Sequence, residues 1–157
     1  MFFKNKDHKK ENLVLIAGCG RLGGSLAGVL SDRGYNVTIV DKDAESFRKL
    51  PPTFTGFQME GDATDIDVLI NSGIEKADIF MATANEDNIN SMLAQIASVI
   101  FGVEKVYARF YDTDKQNVLK GLNIQAILPS SLSIEEFEKM NAADELSEEG
   151  KEGGRLL

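Results

Sequence analysis

Hydrophobic residues fall into short apolar runs that alternate with longer segments in which apolar residues recur every three or four positions. The short runs predict strands and the longer segments predict helices, because a parallel strand covered on both faces is apolar throughout. The predicted strands span residues 13–17, 37–40, 55–60, 77–83, 105–110 and 124–128. This alternation predicts an α/β fold, a three-layer, Rossmann-like, doubly wound parallel sheet of six strands.

The most apolar helix is predicted for residues 85–101, with Asn85 as its N-cap. Its apolar residues recur at helical spacing, and Val99 and Phe101 widen the apolar face. Two interpretations remain open, because such a face covers either the core of its own domain or a neighbouring subunit. A second capping signal, Thr64 followed by Asp67, predicts a helix after the third strand.

A glycine-rich loop follows the first strand. Gly18 allows the tight turn, Gly20 lets the backbone approach a phosphate, and Gly23 lets the next helix pack close to the sheet. Asp41 ends the second strand, where a carboxylate accepts hydrogen bonds from both ribose hydroxyls and repels a 2′-phosphate. Strand, loop, helix and acid together predict a dinucleotide-binding site that favours NAD or an adenosine nucleotide over NADP.

Two arginines are candidates for binding phosphate. Arg21 lies inside the glycine loop, where it can donate a charge-assisted hydrogen bond, although a solvated arginine in the first helical turn is the alternative. Arg109 ends the fifth strand. An arginine at the end of a buried strand needs an anionic partner, and a nucleotide phosphate fits that requirement.

Ligands of such sheets bind at the carboxyl ends of the strands. Asp62 and Thr64 are therefore predicted near the adenine and ribose, and Thr83 and Asn85 near the phosphates or the second nucleoside. Asp62 equally fits a turn and Asn85 a helix cap, so these alternatives stay open. Cys19 lies near a helix N-terminus, which lowers a thiol pKa, but a small residue filling a tight turn is favoured.

Composition narrows the class of protein. The 157 residues are 43% hydrophobic, enough for one core, so we expect one domain with tails. The net charge of −8, without a basic stripe, argues against a nucleic-acid partner. No apolar stretch is long enough for a membrane span or a signal peptide, and the single cysteine, which excludes an internal disulfide, suits a reducing compartment. These features predict a cytoplasmic protein.

The predicted organisation has four parts. Residues 1–11 form a flexible basic leader that contains a solvated His8, and residues 12–128 form the nucleotide-binding domain. Residues 129–140 form a C-terminal helix of the crossover type. Residues 141–157 are acidic and glycine-rich and are predicted to be disordered.

Beyond the glycine loop, a set of short motifs resembles the N-terminal lobe of RCK domains, also called KTN or TrkA-N domains. The motifs are Gly-Cys-Gly-Arg-Leu-Gly at 18–23, Val-Asp-Lys-Asp at 40–43, Gly-Asp-Ala-Thr at 61–64, Gly-Ile-Glu-Lys-Ala-Asp at 73–78, Ala-Thr-Ala-Asn-Glu-Asp-Asn at 82–88 and Tyr-Ala-Arg at 107–109. The first motif is shared with many dehydrogenases, but the set in this order is specific. The resemblance covers residues 12 to about 128.

The resemblance implies a TrkA-type regulatory subunit of a potassium transporter or channel, cytoplasmic and held at the inner face of the plasma membrane by its partner. It also implies binding of NAD(H) or of AMP, ADP or ATP, and a homodimer that assembles into a larger ring. Arg21 and Arg109 would hold phosphates and Asp41 the ribose. The candidate cofactor-binding residues are Gly18, Cys19, Gly20, Arg21, Leu22, Gly23, Asp41, Lys42, Asp62, Ala63, Thr64, Ala82, Thr83, Asn85 and Arg109. Family regulators usually continue into a second ligand-binding lobe, so we expect a separate chain to supply it.

An NAD-dependent oxidoreductase, or its cofactor-binding fragment, is the alternative. Hydride transfer needs an acid or base beside the nicotinamide, but the only histidine lies in the leader and no Tyr-x-x-x-Lys pair follows the fourth strand. Asp112 and Asp114 are titratable but fit a solvated turn. A redox-sensing repressor would need a DNA-binding helix pair or a basic face, and the sequence contains no recognisable one. We therefore expect no enzyme activity, no catalytic residue and no metal ligand.

Overall fold

The computed structural model describes residues 11–155, so the predicted basic leader, including His8, lies outside the described residues except for Glu11. The described chain contains six strands and four α-helices: β1 (Leu13–Ala17), α1 (Arg21–Asp32), β2 (Asn36–Asp41), β3 (Phe57–Glu60), α2 (Ile66–Asn71), β4 (Ile79–Ala82), α3 (Asp87–Gln95), β5 (Lys105–Arg109), β6 (Ile124–Ile127) and α4 (Pro129–Arg155). Short 3₁₀ segments span Ala44–Lys49, Ile74–Lys76 and Thr113–Leu119, and a π-helical segment, Ile96–Ile100, continues α3.

The six strands form one parallel sheet in the order β3-β2-β1-β4-β5-β6. The predicted Rossmann-like α/β class is confirmed. The chain crosses from one half of the sheet to the other between β3 and β4, so the strand order reverses beside β1. Loops diverge at such a point and leave a crevice at the carboxyl edge.

The register explains which residues meet at that edge. Ala17 of β1 pairs with Val40 of β2 and with Ala82 of β4, and Ala82 pairs with Ala108 of β5. The residues one step further along these strands therefore come to the same level. They are Gly18, Asp41, Thr83 and Arg109.

The core is centred on β1, where Val14, Leu15 and Ile16 are completely buried. The largest fully buried side chains elsewhere are Phe80 of β4 and Phe110, which follows β5. Burying one such side chain stabilises the fold by about 1.5–3 kcal/mol. The apolar strands thus hold the carboxyl edge of the sheet in a fixed position.

Helix α3 begins later than the sequence predicts. It starts at Asp87 with Glu86 at the N-cap, so the prediction that Asn85 caps this helix is wrong. The loop stays extended because the Asn90 side chain bonds both backbone groups of Ala84. Leu93 and its neighbours on the same face are buried in the core, whereas Val99 and Ile100 are exposed. A subunit contact through the exposed residues stays a prediction.

The start of α2 also differs from the predicted capping box. Asp65 is the N-cap, and its carboxylate accepts a hydrogen bond from the backbone N–H of Asp67 at 2.9 Å. Thr64 instead bonds to Asp62. An aspartate one position further along competes successfully for the cap because Asp is among the best N-cap residues.

Residues from Leu128 onwards form a second compact unit, which consists mainly of α4. The sequence predicts a helix end at residue 140 and a disordered tail, but the helix continues to Arg155. Residues 141–149 are rich in Ala and Glu, which favour helix, and Asn141 donates a hydrogen bond to Glu145 one turn on. No helix among residues 11–155 is both long and apolar enough to cross a membrane.

Candidate functional site

A cleft of about 610 Å³ lies at the carboxyl edge of the sheet, within the size range of ligand sites. Leu22, Gly23 and Ala82 are the predicted site residues that do not line it. The other predicted residues come together there with several that were not predicted. The lining consists of Ala17, Gly18, Cys19, Gly20, Arg21, Val40, Asp41, Lys42, Asp43, Ser46, Lys49, Gly61, Asp62, Ala63, Thr64, Thr83, Ala84, Asn85, Glu86, Ile89, Leu93, Arg109 and Tyr111.

The three glycines of the loop meet different constraints. Gly18 has a φ of +108°, and a Cβ there would lie 2.7 Å from the Thr83 carbonyl oxygen. A Cβ on Gly23 would collide with the Gly18 carbonyl oxygen and lie 2.6 Å from Thr83 Oγ1. At Gly20 a Cβ would meet only Asn85 Oδ1, at 3.8 Å. Gly18 and Gly23 are therefore required by packing, whereas Gly20 leaves space open on the cleft side.

Thr83 ties this loop to β4. Its side chain is 1% exposed, and Oγ1 donates a hydrogen bond to the Gly18 carbonyl oxygen at 2.8 Å. The sequence predicts Thr83 near the phosphates, and it does line the cleft. Because the hydroxyl proton of Thr83 is already donated to Gly18, Thr83 positions the glycine loop in this structure.

Asp41 is held in one orientation by two backbone groups. Its Oδ2 accepts a hydrogen bond from the Cys19 N–H and its Oδ1 from the Asp43 N–H, each at 2.8 Å. A carboxylate has about four acceptor positions, so capacity remains for two hydroxyl donors. This matches the predicted acceptor of ribose hydroxyls and presents negative charge to any 2′-phosphate.

Cys19 is a buried filler of the loop. Its thiol donates a hydrogen bond to the Ser46 carbonyl oxygen at 3.3 Å, and the side chain is completely buried. Burial raises the pKa of Cys19 to about 11, with a further increase from the Asp41 carboxylate and a decrease from Lys49. The thiol is thus protonated at neutral pH, as the favoured sequence interpretation expects.

The Asp62–Thr64 turn lines the cleft. Asp62 Oδ1 accepts hydrogen bonds from the Thr64 hydroxyl, at 2.7 Å, and from the Thr64 N–H, at 2.9 Å. These two bonds lower the pKa of Asp62, with a smaller contribution from Lys42. Asp62 therefore forms a turn, as one interpretation expects, and it also lines the cleft, where its contact with adenine or ribose stays a prediction.

Arg109 is the most buried cation of the cleft, with 6% of its surface exposed. Its Nη2 donates a hydrogen bond to the Ala84 carbonyl oxygen, and its guanidinium carbon lies 4.4 Å from the centre of the Tyr111 ring. Its Nε is buried and has no hydrogen-bond partner among the described residues. A buried cation with an open donor suits an anionic ligand.

The first turns of α3 carry two polar residues that sequence reasoning missed. Asp87 is 8% exposed and accepts hydrogen bonds from the Tyr111 and Asp112 N–H groups, each at 2.9 Å. Burial acts to raise the pKa of Asp87, but these bonds, with the charges of Lys115 and Arg109, hold it below its ordinary value. Asp87 thereby fixes the chain that follows β5.

Asn90 is completely buried. Its Oδ1 accepts a hydrogen bond from the Ala84 N–H, and its Nδ2 donates to the carbonyl oxygens of Ala84 and Arg109. One sequence signal points to it. Asn90 occupies the same helical stripe as the buried Ala94 and Ala97, and a polar residue on a core-facing stripe needs buried partners.

Comparison with known proteins identifies the family. Residues 14–129 match the TrkA-N domain. The chain belongs to the TrkA-N domain family. The Trk system potassium uptake protein TrkA of Streptomyces coelicolor is 40% identical over 114 residues, which cover 73% of this chain and 51% of that protein. A Trk system potassium uptake protein TrkA homolog of Pyrococcus abyssi is 31% identical over 107 residues, which cover 68% of this chain and 47% of that protein. The chain thus spans about half the length of these two relatives.

Solved structures show the same TrkA-N fold. The GsuK channel bound to NAD superposes with a TM-score of 0.71 at 21% identity, covering 85% of this chain and 24% of that chain. The Kef C-terminal domain of Shewanella denitrificans in its AMP-bound form gives a TM-score of 0.64 at 22% identity, covering 83% of this chain and 80% of that chain. At these identities the likeness is one of fold.

Proposed function

We propose that this TrkA-N domain is the nucleotide-binding part of a cytoplasmic regulatory protein that senses NAD(H) or an adenine nucleotide and gates a potassium transporter or channel. The buried Arg109 cation, which lines the same cleft as the glycine loop and Asp41, is the observation that carries the proposal. The cleft thus combines a hydrogen-bond acceptor for ribose hydroxyls, Asp41, with a hydrogen-bond donor for a phosphate, Arg109. A site for an uncharged metabolite would not need the buried cation.

The strand order supports a direction for the bound nucleotide. Asp41 and the Asp62–Thr64 turn lie on the β2 and β3 side, so the adenosine end is proposed there. The glycine loop and the start of α1 lie in the middle, where free N–H groups and the helix dipole favour phosphate. Arg21 and Arg109 would then contact the phosphates, with Arg109 on the β5 side.

The proposed action is regulatory. A ligand shifts a conformational equilibrium only through its different affinities for two states, and such couplings are typically about 1–3 kcal/mol. The relative from Streptomyces coelicolor is named as a potassium uptake protein, which supports a potassium-transporting membrane partner. The GsuK channel structure is bound to NAD and the Kef structure to AMP, which supports a dinucleotide or an adenine nucleotide as the ligand class.

A thermal-shift series with NAD⁺, NADH, AMP, ADP, ATP and NADPH tests the ligand class. A ligand that binds only the folded state stabilises it by about 2.7 kcal/mol at a hundredfold excess over Kd. We expect adenine nucleotides or NAD(H) to raise Tm and NADPH to have a smaller effect because of Asp41. Stabilisation by NADH alone would favour the oxidoreductase alternative, and no shift with any ligand would contradict the proposed site.

Potassium uptake by cells that depend on this protein tests the regulatory role. The wild-type chain and a variant that has lost nucleotide binding should support different uptake rates at equal protein levels. Light scattering with and without nucleotide tests the proposed homodimer and larger ring. Uptake that is unaffected by loss of nucleotide binding would contradict gating, even if binding itself is confirmed.

A further inference from the structure

Asn90 forms a compact hydrogen-bond cluster behind the cleft. With the Ala84 backbone it makes a closed pair of bonds, at 2.8 Å from the Ala84 N–H to Oδ1 and at 2.9 Å from Nδ2 to the Ala84 oxygen. Its second Nδ2 proton goes to the Arg109 carbonyl oxygen at 3.0 Å. Both amide protons and the amide oxygen are therefore committed to two neighbouring backbone segments.

These two segments determine where the Arg109 guanidinium lies. The Arg109 carbonyl is the main chain from which the side chain extends. The Ala84 carbonyl oxygen is the acceptor to which Arg109 Nη2 is bonded. Asn90 thus fixes both the origin of the side chain and the anchor of its far end. Nε is the buried nitrogen of the group that has no hydrogen-bond partner among the described residues.

Asp87 on the same helix supports the third neighbour of the guanidinium. It holds the Tyr111 backbone, and the Tyr111 ring lies against the Arg109 cation. Asp87 and Asn90 are three residues apart and so lie on one face of α3. The first turns of this helix therefore organise the surroundings of Arg109.

We propose that Asn90 is a positioning residue for the phosphate contact of Arg109, and that it thereby determines how strongly the site distinguishes a phosphorylated nucleotide from its nucleoside. The inference rests on the proposed nucleotide site. Asn90 makes no contact with the ligand in this scheme. It acts by holding the Ala84 and Arg109 main chains, and its loss lets the guanidinium leave the position beside the cleft that it has in the structure.

Affinities for ADP and for adenosine, measured by calorimetry at a temperature where each protein is folded, provide the test. We expect Asn90→Ala to weaken ADP about tenfold or more and adenosine by less than about twofold, the size of effect for one charged hydrogen bond. If Asn90 had only a structural role, its loss would lower the affinities for ADP and for adenosine by the same factor. Ser91→Ala, next to Asn90 on the same helix, is the matched control and should change neither affinity.

A double-mutant cycle with Arg109→Met separates the two residues. In the Arg109→Met background, Asn90→Ala should leave the ratio of ADP to adenosine affinity unchanged, because the contact that it positions is gone. A further loss in that background would overturn the proposal. If the wild-type chain binds NADH and not ADP, the same cycle compares NADH with adenosine. Failure of the wild-type chain to bind any of these nucleotides would instead contradict the proposed function, so the two failures are distinct.

Asn90→Ser provides a second variant in case Asn90→Ala does not fold. It keeps a small neutral polar group, but one hydroxyl proton cannot bond both the Ala84 and the Arg109 carbonyl oxygens, so the same selective loss of ADP affinity is expected. In the wild-type protein, the side-chain amide signals of Asn90 in a nitrogen-15 NMR spectrum should shift with ADP and not with adenosine. Equal shifts with both ligands would contradict the proposal without any substitution.

Discussion

Replacing Arg109 by methionine should separate stability from ligand binding. The substitution keeps an unbranched side chain of similar reach and removes the buried charge. The Ala84 carbonyl oxygen that loses the guanidinium still accepts the Asn90 amide proton at 2.9 Å. Asp87 keeps both of its backbone partners. No other described polar group that bonds to Arg109 is left unpaired by the change.

The magnitudes work in opposite directions. The lost hydrogen bond is worth about 1.5–3 kcal/mol, and the contact with the Tyr111 ring about 0.5–2 kcal/mol. The wild type also carries two costs that the variant lacks, several kcal/mol for burying a cation and about 1–3 kcal/mol for the unpaired Nε. Removing Arg109 also withdraws a positive charge that favours the ionised form of Asp87. We therefore expect the ligand-free variant to be about as stable as the wild type.

Nucleotide binding should weaken at the same time. Losing one charged contact to phosphate reduces affinity about 10- to 150-fold. At an ADP concentration of a hundred times the wild-type Kd, the stabilisation of about 2.7 kcal/mol falls to about 0.9 kcal/mol for a site thirtyfold weaker. Thermal unfolding with and without ADP measures both quantities, since 1 kcal/mol shifts Tm by about 2–4 °C at this size.

The matched control is Arg48→Met. Arg48 has an 80% exposed side chain and pairs with Glu45 on the surface at 3.0 Å, so its loss should change neither Tm nor the shift with ADP. If Arg109→Met lowers the ligand-free Tm and leaves the ADP shift intact, Arg109 is a structural residue. That result would refute the proposed contact between Arg109 and a bound nucleotide.

Three further predictions concern the cleft. Gly23→Ala should unfold or strongly destabilise the protein, as measured by circular dichroism, whereas Gly20→Ala should keep the wild-type Tm and lose ADP affinity. Equal Tm values for the two variants would show that the loop adapts to a Cβ at Gly23. Cys19, with its pKa near 11, should react with iodoacetamide at pH 8 at least about tenfold more slowly than in urea, and equal rates would contradict its burial. Because the pKa of Asp87 is lowered on folding, the stability that ionised Asp87 contributes is complete above the unfolded pKa of about 3.9 and is lost as the pH falls through the lower folded pKa. Asp87→Asn should therefore reduce the loss of Tm below about pH 4. Parallel pH profiles of Tm for the variant and the wild type would contradict this prediction.

The fold follows from local patterns because each strand carries its own burial signal. The apolar run of β1 and the glycine loop after it are contiguous in sequence, so hydrophobicity and spacing are sufficient to place them. The end of α4 was not predictable in this way. Gly150, Gly153 and Gly154 suggest disorder by composition, yet the helix formers before them favour continued helix to Arg155.

The site is predictable only where a residue lies next to its motif. Gly18 and Asp41 are placed by the strands that they end, and the register of the sheet brings them together. Asn90 bonds to residues 6 and 19 positions away, and no local pattern specifies such partners. Tyr111 enters the cleft through a backbone that Asp87 holds from another element. These contacts depend on packing of α3 against β5, which the sequence does not encode as a motif.

The charge of the cleft differs from that of the chain as a whole. The chain carries −8, but the lining is balanced. Four basic side chains, Arg21, Lys42, Lys49 and Arg109, face four acidic ones, Asp41, Asp43, Asp62 and Glu86. Because salt screens charges beyond about 8 Å, a bound phosphate interacts mainly with this lining.

Placement within the lining then determines ligand orientation under the proposed function. Asp41 at the end of β2 and Arg109 at the end of β5 are three strand spacings apart, about 14 Å. A nucleotide bound in the reverse direction would bring its phosphates against the Asp41 carboxylate and leave the buried Arg109 cation without an anion. Both errors cost free energy, so the same two residues select one direction of binding and reject the other.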